Sequence, residues 1–117
     1  MTDEIIFLYG WGPEEEGRLS SLLYLVETAS TMEINVAIFY FTDGAVLARK
    51  GTHAKISEET GRRFETILKR KTVKLYVCEQ AARKRNITTE NLENGITIVG
   101  YATFLDMTLS AKTIITI

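Results

Sequence analysis

Short, unbroken apolar runs, set apart by stretches of helical periodicity, constrain this chain more than any other feature. Ile5-Ile6-Phe7-Leu8-Tyr9 is stopped by Gly10-Trp11-Gly12-Pro13, and Val36-Ala37-Ile38-Phe39-Tyr40-Phe41 by Thr42-Asp43-Gly44. Val73-Lys74-Leu75-Tyr76-Val77-Cys78 and Thr113-Ile114-Ile115-Thr116-Ile117 come later, with Ile96-Thr97-Ile98-Val99-Gly100 as a fifth, shorter run. Runs without strict alternation predict strands buried on both faces, the pattern of a parallel sheet covered by helices.

The segments between the runs read as helices. Leu19, Leu22, Leu23, Val26 and Ala29 fall at helical spacing. Pro13 suits the first helical position there, and Glu14 to Glu16 suit the positive end of the helix dipole. Ser57 reads as the N-cap of a second helix, followed by Glu58 and Glu59, with Phe64, Ile67 and Leu68 on one stripe. Glu79 to Arg85 predicts a short helix after Cys78, with Asn86 at a left-handed C-cap. Tyr101 to Ala111 predicts the last helix, with Leu105 and Leu109 on one face. Strands alternating with helices imply right-handed crossovers. The expected fold is α/β, a three-layer α/β/α sandwich around a mostly parallel sheet of about five strands. At 117 residues the chain reads as a single domain, 1–117, without repeat or linker.

Composition narrows the function classes. Fourteen basic residues against fifteen acidic ones leave a net charge of −1, unlike a dedicated nucleic-acid binder. Cys78 is the one cysteine and His53 the one histidine, which excludes a disulfide framework and starves a metal site of ligands. No apolar run approaches the roughly 20 residues a membrane span needs. Met1-Thr2-Asp3-Glu4 is acidic and unlike a signal peptide, so the expected location is the cytoplasm.

In an open α/β sheet, ligands bind at the carboxyl ends of the strands, which singles out Gly10 to Pro13, Thr42 to Gly44, Cys78 to Gln80 and Gly100-Tyr101. Cys78 is expected to be the last residue of its strand, just before a helix whose free amides favour a thiolate. Glu79 opposes that effect, while Ala81 and Ala82 leave room for a sulfur-bearing partner. The competing reading is a small buried hydrophobe. Gly10 to Pro13 could cradle an anion, although it lacks a P-loop ending and Glu14 to Glu16 would repel phosphate. A receiver-type phosphorylation site does not fit, because Asp3 and Glu4 precede the first strand. Lys69-Arg70-Lys71 and Arg83-Lys84-Arg85 read as solvated cations closing helices, with a docking patch for an acidic partner as the alternative. His53 reads as a loop residue without a carboxylate beside it, and Asp43-Gly44 as a turn or helix start.

Taken together, these segments resemble the DsrE/DsrF-like family of sulfur-relay proteins. The resemblance runs in order from the first strand, the Gly-Pro turn and the acidic helix start reaching Arg18. It continues through Ile38 to Ala45, Ala48 to Gly51, Val73 to Cys78, Ala81 to Ile87, and Gly100 to Ile115. Cys78 is the position at which the resemblance implies a persulfide. Glu79 stands where a small residue is usual, Asn86 where glycine is usual, and there is no second cysteine. With a single thiol, sulfur would leave to an external thiol rather than through an internal disulfide. The resemblance thus implies a carrier of sulfane sulfur, as persulfide or thiosulfonate, and a donor or acceptor protein with a reactive cysteine. The residues expected to meet an anion or substrate are Gly12, Gln80, Ala81 and Arg83, with Lys84 as the alternative to Arg83; no cofactor or metal is implied. It also implies a homotrimer or homohexamer, for which Trp11, Tyr24, Tyr101 and Phe104 offer apolar surface. The alternatives are a non-catalytic oligomeric module with Cys78 structural, and a small-ligand or nucleotide binder using the Gly10 to Pro13 turn.

Overall fold

The computed structural model describes residues 4–117. Met1, Thr2 and Asp3, part of the acidic lead-in, lie outside the described residues. Five strands form one sheet: β1 (Ile5–Tyr9), β2 (Val36–Tyr40), β3 (Val73–Cys78), β4 (Ile96–Val99) and β5 (Thr113–Thr116). Their spatial order is β4-β3-β2-β1-β5, and every pairing is parallel. Helix α1 (Glu16–Thr31) joins β1 to β2, and α2 (Thr52–Ile56) with α3 (Glu58–Leu68) leads to β3. Helix α4 (Glu79–Lys84) joins β3 to β4, and α5 (Tyr101–Ser110) leads to β5.

This order fixes which face each helix covers. From β1 to β4 the chain steps in one direction, so right-handed crossovers place α1, α3 and α4 on one face. The step from β4 back past β1 to β5 runs the other way, which sends α5 to the opposite face. Side-chain contacts agree. Tyr40 meets His53 of α2 on one side of β2, while Phe39, its neighbour in the strand, stacks on Phe104 of α5 at 4.2 Å. The three layers are therefore unequal. Four helices cover one face of the sheet, and α5, which has no buried residue, covers the other alone.

The core lies under the first face. Leu19, Leu22, Leu23 and Val26 of α1 are fully enclosed against β1 and β2. Each such side chain contributes about 1.5–3 kcal/mol relative to exposure. β2, the central strand, is buried at all five positions, as its unbroken apolar run predicts. β5 is an edge strand and three of its four residues are exposed, so for this run burial on both faces does not hold.

Two local expectations are corrected. Pro13 is not the first helical residue: the Glu15 amide bonds back to the Gly12 carbonyl, closing a turn, and α1 begins at Glu16. His53 is not a loop residue but the buried anchor of α2. Asp43-Gly44 does start a helix, a 3-10 turn over Thr42–Ala48. Ser57 caps α3 by accepting from the Thr60 amide, and Asn86 takes the left-handed conformation at φ 55°. Among the described residues no helix is long and apolar enough to cross a membrane.

Candidate functional site

β3 ends on Cys78, whose extended backbone (φ −63°, ψ 126°) makes it the residue flanking α4. Cys78 is paired in register with Val99, the last residue of β4. Because the pairing is parallel, the chain leaves β4 at the same end of the sheet, and Gly100 and Tyr101 arrive beside the end of β3. Tyr101 opens α5 there, next to the Cys78 side chain. The neighbouring Cys78 side chain holds the Tyr101 hydroxyl above the ordinary phenol range. Cys78 itself is only 1% exposed, whereas Tyr101 is 58% exposed.

Beside this pair is a cavity of about 150 Å³ lined by Thr42, Gln80, Ala81, Lys84, Arg85 and Tyr101. Arg85 is held rigidly there. It donates to Asp43 Oδ1 at 2.7 Å and to the Ala81 carbonyl at 3.2 Å, and its own carbonyl accepts from Arg49. Thr42 sits at φ 47°, uncommon for a β-branched residue, with its hydroxyl donating to the Gly10 carbonyl at 3.0 Å. Thr42 also lines a second cavity of about 280 Å³, with Gly10, Trp11, Phe41, Asp43, Thr116 and Ile117. The carboxyl edge of the sheet is thus indented from β5 across to β3. At its far end Trp11 donates to the Ile117 carbonyl at 2.8 Å and carries the Arg18 guanidinium over its ring at 4.0 Å.

Of the residues expected to meet an anion or substrate, Gln80 and Ala81 line the cavity beside Cys78. Gly12 and Arg83 do not. A side chain at Gly12 would run into the Glu14 carboxylate at 2.5 Å, so a negative charge already occupies the space an anion would take. Arg83 lies on the other flank of α4, 3.7 Å from Glu79, in a cavity of about 340 Å³ shared with Asn86, Ile87, Thr88 and Ile98. The cations lining that cavity are Lys84, the alternative to Arg83, and Arg85, because successive helical residues point about 100° apart. Tyr101 is legible in sequence as a residue at the carboxyl end of a strand and as apolar surface. Its place beside the end of β3 depends on the parallel pairing of β3 with β4, which no local pattern encodes.

Elsewhere, His53 is 2% exposed and stacked on Phe64 at 3.5 Å. Its Nε2 shares a hydrogen bond of 3.1 Å with the Tyr40 hydroxyl, and its Nδ1 has no partner among the described residues. Burial pushes its pKa down to about 3 and pushes the Tyr40 phenol up. His53 is therefore a neutral core residue, far outside the range of a general base at neutral pH. Among the described residues no three His, Cys, Asp or Glu side chains converge as a metal site.

A cysteine at the end of a strand, just before a short basic helix, is the arrangement on which the resemblance rests. The DsrE/DsrF-like family model matches residues 3–117. This chain belongs to the DsrE/DsrF-like family. Its fold is shared with YchN of E. coli, at a TM-score of 0.79 and 19% identity, covering 99% of this chain and all of that one. A second solved structure, the protein of unknown function MTH1491 from Methanobacterium thermoautotrophicum, matches at a TM-score of 0.66 and 16% identity over 92% of each chain. At these identities the likeness shows the fold alone. The uncharacterized protein MJ0760 of Methanocaldococcus jannaschii is 31% identical over 107 residues, 89% of this chain and 39% of that protein. The chain thus spans about two-fifths of the length of the curated relative it matches.

Proposed function

We propose that this DsrE/DsrF-like chain is a sulfur carrier working through Cys78. The Cys78 thiolate attacks the outer sulfur of a persulfide or polysulfide donor, forming Cys78–S–S⁻ and expelling the donor thiolate or shortened polysulfide. With thiosulfate the same attack on the sulfane sulfur expels sulfite. An acceptor thiolate then attacks the outer sulfur of Cys78–S–S⁻, takes it, and regenerates the Cys78 thiolate. Both steps are exchanges at divalent sulfur and need no external oxidant or reductant. With no second cysteine in the chain, the acceptor is an external thiol, expected on a partner protein.

The observation that carries this reading is the Cys78 thiol at the end of β3, just before α4 and next to a cavity lined by Lys84, Arg85 and Tyr101. Two cations there suit an anionic donor and a persulfide anion. A lone thiol kept reduced also suits a cytoplasmic protein.

The same reading makes the protein a homotrimer or homohexamer. Tyr101, Leu105 and Leu109 of α5 and Ile114 of β5 are exposed large apolar side chains on or beside the thinly covered face. Contiguous apolar surface of this kind is what self-association buries. The 1% exposure of Cys78 favours a second reading, a non-catalytic oligomeric module with an inert thiol. The two separate on sulfur discharge. Protein loaded with polysulfide and freed of excess reagent should return to its starting mass on adding glutathione, while releasing glutathione persulfide. A chain that never loads, and whose thiol is labelled only after denaturation, is the inert module.

A further inference from the structure

Resting on the sulfur-carrier reading, and naming its donor class, we propose that the cavity lined by Gln80, Lys84, Arg85 and Tyr101 binds a small inorganic anion carrying sulfane sulfur, with thiosulfate as the type. Lys84 is the cation that meets this ligand, and Arg85 is a fixed part of the wall.

The topology opens a crevice at this point. α4 leaves β3 for one face of the sheet, and α5 leaves the neighbouring β4 for the other. Where adjacent strands send their helices to opposite faces, the carboxyl edge parts between them, and α/β sheets bind ligands there. The cavity is lined from both sides of that parting, by α4 and by Tyr101 at the start of α5. Its lining begins at Gln80, two residues after Cys78.

The charges fix the sign of the ligand. No carboxylate lines the cavity. Glu79, the acidic residue of α4, pairs with Arg83 at 3.7 Å and lines the cavity on the other flank. The two cations are not equivalent. Arg85 donates to Asp43 Oδ1 at 2.7 Å and to the Ala81 carbonyl at 3.2 Å, so its charge is offset and its position held. Lys84 makes no side-chain hydrogen bond or ion pair among the described residues, and neither does Gln80. An unpaired ammonium and an unpaired amide beside a space without carboxylates suit an anion that accepts hydrogen bonds. Size narrows the class further. At about 150 Å³ the cavity falls below the roughly 300–1,000 Å³ of sites for drug-sized organic ligands. A tetrahedral inorganic anion matches that space better than a peptide persulfide does.

An NMR titration of the intact protein with sodium sulfate, against sodium chloride at equal ionic strength, tests the site. Sulfate has the charge and shape of thiosulfate but no sulfane sulfur, so it cannot load Cys78. The backbone amides of Gln80, Ala81 and Arg85 should shift and saturate with sulfate alone. Lys84→Gln should weaken sulfate about tenfold, the loss of one charge-assisted hydrogen bond. Lys71→Gln, which removes an exposed cation beyond α3, should leave the affinity unchanged. No saturable shift, or equal weakening by both variants, would overturn the site and leave a diffuse response of surface charge to salt. The donor class has its own readout in the rate of Cys78 loading. Lys84→Gln should need about tenfold more thiosulfate for half its maximal rate, with loading by glutathione persulfide unaltered. Equal slowing with both donors would overturn the donor class. Sulfate saturation in a protein that no donor loads would overturn the carrier reading, and the donor class with it, while leaving the anion site in place.

Discussion

His53 takes up a proton near pH 6.5 in the unfolded chain but only near pH 3 when folded, because burial beneath Tyr40 and Phe64 disfavours the cation. Above pH 6.5 neither state holds that proton, and the full stability is present. Between about 6.5 and 3 the unfolded state holds it and the folded state does not, so stability falls as the pH falls. The slope is about 1.4 kcal/mol per pH unit, which from pH 7 to pH 5 amounts to about 2 kcal/mol. Other groups titrate in the same window, so the assay is a difference measurement. Urea unfolding of wild type and His53→Gln should be followed at pH 7, 6 and 5. Glutamine keeps a hydrogen-bonding group for the Tyr40 hydroxyl but cannot ionise. Wild type should lose about 2 kcal/mol more than the variant across this range, whatever the variant loses at pH 7. Parallel stability curves would refute the reasoning, showing that His53 reaches water or a counter-charge in the folded protein.

Glycines give a contrasting pair. A methyl at Gly44 would collide with the Tyr9 carbonyl, so Gly44→Ala should cost about 3 kcal/mol and on the order of 10 °C in Tm by thermal unfolding. Gly17, in α1 with nothing within 4 Å, should accept alanine with a gain of about 0.5–1 kcal/mol, from the lower chain entropy of the unfolded state. The exposed apolar side of α5 predicts association: wild type should scatter light as a trimer or hexamer, and Leu105→Glu with Leu109→Glu should reduce it to monomer. A wild-type monomer would refute the interface.

Much of the fold is legible because each strand is a compact apolar run and each long helix repeats its apolar residues at helical spacing. The stripe of α1 and the Ser57 cap of α3 lie where those patterns put them. Short elements are less legible. Helix α2 is five residues long, too short to show a period, and its one buried residue is a histidine. The start of α1 is displaced because a Gly-Pro-Glu segment fits a turn as well as a first helical turn. Strand neighbours are not local properties at all. That β5 returns beside β1 leaves one sheet face covered by α5 alone, and it explains why Leu105 and Leu109 share a face that points outward. The site divides in the same way. Cys78 is readable because it ends a run before a helix, whereas the choice between Arg83 and Lys84, and the addition of Arg85, come from helix rotation. The place of Tyr101 comes from strand pairing.

The central claim is that Cys78 accepts sulfane sulfur, and intact-mass spectrometry tests it most directly. Wild type and Cys78→Ser should be incubated under native conditions with polysulfide, thiosulfate or tetrathionate, and their masses compared. A sulfur carrier working through Cys78 should gain whole sulfur atoms, or a thiosulfonate adduct from tetrathionate, on wild type alone. Unchanged wild-type mass with every donor, or equal loading of Cys78→Ser, would contradict it.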